Sequence, residues 1–154
     1  MTIAIPRIEL KKFIGAPKEN VFDAVTNPKL MALWMAPGKA DVVESVVDLR
    51  VGGRYQIKMT GEMLGRKYDV VIGGVYRELM PGERLSFTWV YEDDEHRESV
   101  GDSVVTIELR TVMGGTELTL IHEKIATPQR REGHLWGWTN CLEKLEGLFA
   151  AKFV

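Results

Sequence analysis

The chain has 154 residues, 45% of them apolar, enough for one hydrophobic core. Its 20 Lys and Arg stand against 22 Asp and Glu, a net charge of -2, which excludes both the basic footprint of a nucleic-acid binder and a polyanion. No window nears the roughly 18 uninterrupted apolar residues of a membrane span, and one cysteine, Cys141, excludes intrachain disulfides and paired-cysteine zinc or redox sites. With no secretory pattern at the N-terminus, a cytoplasmic protein is expected.

No linker, repeat or low-complexity tract divides the chain, so residues 1–154 are expected to form one domain. Ile3 to Ile14 nearly alternates between apolar and charged residues, as a half-buried strand does. Pro17 suits the first turn of a helix carrying Val21, Phe22 and Val25, and Asn27-Pro28 ends it. A second short helix is predicted from Pro28 to about Trp34, closed by Pro37-Gly38.

From Asp41 to Lys124 the period changes to two, with glycine turns recurring, and about six antiparallel strands fit. Tyr55, Ile57 and Met59 share a face; so do Leu85, Phe87, Trp89 and Tyr91, and Val105, Ile107 and Leu109. Lys67 to Leu79 is too long for a plain strand and contains Gly73-Gly74, which predicts a bulge that changes the inward parity. Finally, Thr127-Pro128 caps a long amphipathic helix with Leu135, Trp138, Leu142, Leu145 and Phe149 on one stripe. The sum is an α+β fold, a curved antiparallel sheet of six or seven strands around a long C-terminal helix, with two short helices after the first strand.

Several strings, in order, resemble one family: Ala16-Pro17-Lys18-Glu19-Asn20-Val21-Phe22-Asp23-Ala24, Asn27-Pro28 through Leu33-Trp34, and Asp48-Leu49-Arg50-Val51-Gly52-Gly53-Arg54-Tyr55. Further on come Gly74-Val75-Tyr76-Arg77-Glu78, Glu83-Arg84-Leu85-Ser86-Phe87-Thr88-Trp89, Thr116 to Glu123, and His134 with Gly137-Trp138. The chain thus resembles the START-like SRPBCC superfamily, in the branch similar to the activator of the heat-shock protein 90 ATPase. The resemblance implies a helix-grip fold with a cavity between sheet and C-terminal helix. The chain departs from the common pattern at Met35, where a second tryptophan is frequent, and at Pro81-Gly82, where two prolines are frequent.

Within that implied cavity, Trp34, Tyr55, Phe87, Trp89 and Trp138 can stack on a planar ligand with Met59 as a compliant wall, or simply fill the core. Ile57, Leu109, Leu118, Leu120, Cys141 and Leu142 complete the expected lining, with His134 near the entrance or on the helix surface. His122 shares the parity of Leu118 and Leu120 and faces inward, either as a ligand contact or acid–base residue or as a satisfied core histidine. Trp136 falls opposite the buried stripe and needs a partner, a neighbouring loop or a second copy.

Other chemistry finds little support. His122-Glu123 begins like a zinc-protease helix, but Ala126 stands where the second histidine would, and the acidic turn Glu92 to Glu95 reads as a solvated hairpin tip rather than a calcium loop. No metal or cofactor is expected. Ser45, Ser86, Ser99 and Ser103 form no nucleophile elbow, and the glycine pairs form no phosphate loop. Arg50, Arg77 and Arg84 are read as wet-face residues before rim anion contacts. The leading expectation is a protein enclosing a hydrophobic small molecule. The alternatives are a protein-interaction module, chaperone-contacting or homodimeric, and a cyclase, dehydratase or hydrolase using His122.

Overall fold

The computed structural model describes residues 5–63, 65–93 and 103–150. The start of the predicted first strand, His96, Ser99 and half of the acidic hairpin tip, Asp94 and Glu95, lie outside the described residues. Seven antiparallel strands make one sheet: β1 (Ile8–Ile14), β2 (Asp41–Val47), β3 (Arg54–Met63), β4 (Arg66–Met80), β5 (Arg84–Tyr91), β6 (Ser103–Val112) and β7 (Gly115–Glu123). Helices α1 (Lys18–Thr26) and α2 (Pro28–Met31) follow β1, and α3 (Pro128–Ala150) comes last.

Across the sheet the order is β1-β7-β6-β5-β4-β3-β2, so each strand from β2 onward pairs with its successor while β1 returns to pair with β7. Ile8 lies opposite His122 and Ile14 opposite Thr116. The passage through α1 and α2 therefore carries the chain from one edge of the sheet to the other. The curved sheet closes on α3, the helix-grip arrangement.

Alternation accounts for the buried face. Tyr55, Ile57 and Met59 of β3, Leu85, Phe87 and Trp89 of β5, and Val105, Ile107 and Leu109 of β6 all lie in the core with Leu118 and Leu120 of β7. The helical stripe meets them through Trp138, Cys141, Leu142, Leu145 and Phe149. Thr127 caps α3, its hydroxyl accepting from the Arg130 N–H at 3.1 Å.

The expected bulge exists, but at Arg77 rather than at the glycine pair: the β4–β5 register shifts between Tyr76 and Glu78. Val70, Ile72 and Tyr76 face the core before it, and Leu79 packs against the core after it. Gly74 has a different task. A Cβ there would stand 2.0 Å from the Thr88 carbonyl oxygen, so only glycine lets β4 approach β5 at this point. The same approach buries Thr88, a residue of the outward parity, whose hydroxyl accepts from the Val75 N–H at 2.8 Å.

Helix α2 is shorter than predicted, ending at Met31, and the chain continues to Trp34 in tighter turns. The Trp34 indole donates to the Ala24 carbonyl at 2.9 Å, tying this turn to α1. At Pro81-Gly82 the glycine has φ +75, a conformation closed to proline, which accounts for the missing second proline.

Candidate ligand-binding site

A cleft of about 60 Å³ opens between the N-terminal half of α3, strands β3 to β5 and the segment Met35–Pro37. Of the residues expected from sequence, Met59, Trp89, His134, Trp138 and Cys141 line it. Trp34, Tyr55 and Phe87 line instead a separate gap of about 10 Å³ deeper between the sheet and α2, about the space of one water. Met35 borders both voids. Ile57, Leu109, Leu118, Leu120 and Leu142 are buried in the core and border neither.

Met35, Pro37, Ile72, Tyr91, Gly133, Trp136 and Gly137 complete the lining and were not among the expected site residues. One signal for them was present: Gly133 and Gly137 stand four apart and so share one helix face, thinning α3 where the cleft opens. Trp136 packs on the neighbouring loop. Its Cη2 would lie 3.2 Å from a Cβ built on Gly38, and the residue remains 46% exposed.

Behind the cleft runs a chain of polar contacts. The Trp138 indole donates to His122 Nδ1 at 3.0 Å, and because an indole N–H can only donate, Nδ1 must be the unprotonated nitrogen. His122 Nε2–H then donates to Ser103 Oγ at 2.8 Å, and that hydroxyl donates to the Trp89 carbonyl at 2.9 Å. Both imidazole nitrogens are thus occupied, and the ring is fully buried. Burial, with the nearby His134 ring adding to it, holds His122 well below the usual histidine range, so it is neutral at pH 7.

His134 stands nearer the opening, its ring stacked on Tyr91 with centroids 5.8 Å apart and 4.6 Å from the His122 ring. Burial first and the Arg130 charge second push it down to about 4. Arg130 lies 5.1 Å over the Tyr91 ring. Cys141 is pushed up to about 12 by burial against the opposing pull of Lys144, leaving an inert thiol. Lys144 itself donates to the Ala36 carbonyl and so tethers α3 to the segment that walls the cleft.

Among the described residues no cluster of three or more His, Cys, Asp or Glu is arranged to hold a metal ion. Arg84 pairs with Glu78 and Glu108, and Arg50 with Asp48, all outside the cleft lining. The arrangement is chemically one of apolar and aromatic contact with a few neutral polar groups, not of charge or nucleophilic attack.

The model of the Activator of Hsp90 ATPase homolog 1-like protein family matches residues 15–150. The chain belongs to this family. Among solved structures, protein CV1439 from Chromobacterium violaceum is 31% identical, covering 93% of this chain and 96% of its own at TM-score 0.80. CalU16 from Micromonospora echinospora is 27% identical over 96% of this chain and 80% of its own, at TM-score 0.67. The AHSA1 (SPO3351) protein from Silicibacter pomeroyi, 23% identical over 96% and 99%, shares the fold at TM-score 0.80. No curated protein matches the chain. The AHSA1-like fold is compatible with ligand binding or with a co-chaperone-like role, and no described helix is long and apolar enough to cross a membrane.

Proposed function

We propose that this AHSA1-like chain works as one START-like domain that encloses a hydrophobic or aromatic small molecule between its sheet and α3. The observation carrying this reading is the cleft at that junction, walled by Trp89, Tyr91, Trp136 and Trp138 with the methionines Met35 and Met59. At about 60 Å³ it is below the roughly 300 Å³ of an ordinary ligand pocket, so a ring-sized guest requires side chains to move. Methionine moves at little cost. Met35 borders both the cleft and the inner gap lined by Trp34, Tyr55 and Phe87, so it is the side chain whose movement would enlarge the site.

Native mass spectrometry of freshly purified protein, followed by denaturation and analysis of what is released, tests the reading. A bound apolar compound is expected; a protein that arrives empty and then binds no member of an aromatic fragment panel overturns it.

A protein-interaction role, homodimeric or co-chaperone-like, is the second reading. It draws on half-exposed Trp136 and on Val43, Val46, Leu49 and Val51, which leave apolar surface on β2 and the turn after it. In light scattering, a Trp136→Ala variant of unchanged mass with and without an added chaperone counts against it. Acid–base chemistry at His122 draws no support from a ring whose nitrogens are both engaged.

A further inference from the structure

We infer that the cleft is built for an uncharged aromatic compound bearing a carbonyl group, whose oxygen accepts the indole N–H of Trp89. This rests on the small-molecule reading above and adds the polar feature its ligand must carry.

The argument starts from an unpartnered donor. Trp89 is 7% exposed and lines the cleft, yet its Nε1 has no hydrogen-bond acceptor. Buried polar groups are normally paired, and an unpaired one points to an unfilled role. Among the described residues, the rings packed against it offer no acceptor. The Trp138 ring, 4.8 Å away, carries only a donor, already given to His122. His122, 6.1 Å away, has both nitrogens engaged, and Phe87 has no polar atom. A guest seated in the cleft would bring the acceptor. His134, which makes no hydrogen bond among the described residues, offers a second neutral donor in the same cleft.

The rest of the lining decides the remainder of the ligand. Among the described residues no Asp, Glu, Lys or Arg lines the cleft, and Arg130 lies on the Tyr91 ring at its rim, so an ionised group buried beside Trp89 would have no counter-charge in the lining. The aromatic walls favour a flat ring over a chain. A carbonyl needs donors only, which is what Trp89 supplies.

The test uses acetophenone and α-methylstyrene, a pair of one shape in which C=CH2 replaces C=O, titrated into the 15N-labelled full chain and into Trp89→Phe. With acetophenone the assigned Trp89 indole proton is expected to move downfield; with α-methylstyrene it is not. The preference for the ketone over the hydrocarbon is expected to fall about tenfold in Trp89→Phe. Should the variant fail to fold, the indole shift in the unmodified protein decides alone. Binding of both compounds with no downfield indole shift for the ketone overturns this inference and leaves the small-molecule reading standing. No perturbation at Met35, Trp136 or Cys141 by either compound overturns this inference, and a protein that also arrives empty and binds no member of the aromatic panel overturns both.

Discussion

One hydrogen bond, from the Trp138 indole to His122 Nδ1, fastens helix to sheet through the middle of the molecule. Replacing Trp138 by Phe keeps most of the ring and removes the donor, leaving a buried lone pair. The expected loss is about 1–3 kcal/mol, read by urea unfolding. Cys141 gives a second check at this scale: its thiol is buried and its deprotonation disfavoured, so a disulfide reagent such as DTNB should titrate it in denaturant and hardly at all in the native protein. Strand parity alone turns His122 inward, and the residue is indeed buried. What parity does not contain is the rotation of α3 that brings Trp138 onto its ring, because that depends on how two distant segments dock. Met35 shows the same boundary. Its departure from the family pattern is legible in the sequence, but its position at the border of two voids appears only once α2, β3 and α3 are assembled.

Among the elements, β4 departs furthest from a regular strand, and its glycines explain why. Gly74→Ala drives a methyl group into the Thr88 carbonyl and should destabilise by about 3 kcal/mol, with loss of amide protection along the β4–β5 ladder. Gly147→Ala is the contrasting change. Nothing lies within 4 Å of the added carbon, the site is inside α3, and a gain of about 0.5–1 kcal/mol is expected by the same unfolding measurement. Element identity and order were legible because hydrophobic period distinguishes strands from helices, and Thr127-Pro128 and Asn27-Pro28 mark starts clearly. The bulge was legible in kind but not in place: a glycine pair signals either irregular pairing or close approach, and here it serves the approach, while Arg77, an unremarkable residue in sequence, takes the bulge.

At the scale of the whole molecule, two neutral imidazoles are sandwiched between sheet and helix, and this sets a response to acid. His134 binds its proton at about 4 in the folded chain against 6.5 as the ordinary value, and His122 is likewise lowered. Protons therefore bind the unfolded chain first. The stability contributed by the neutral pair is complete above about pH 6.5 and is lost as pH falls through the folded values. For His134 alone the loss between pH 7.5 and 4.5 is about 2 kcal/mol. Urea melts at those two pH values should show it, and a His134→Gln variant should lose less stability than the parent over the same interval. An equal loss in both proteins would remove His134 as the cause.

The pairing of the first strand with the last has a consequence for synthesis. The hydroxyl that anchors the end of β1, that of Thr116, bonds to Ala16 across 100 residues of chain. At ribosomal speeds of about 5–20 residues per second, Ile8–Ile14 waits roughly 5–20 s with no partner strand, while β2 to β6 can zip successively as each emerges. Of the seven strands the first made is the last to find its partner, and until Gly115–Glu123 emerges it is an unclaimed β-edge on the nascent chain.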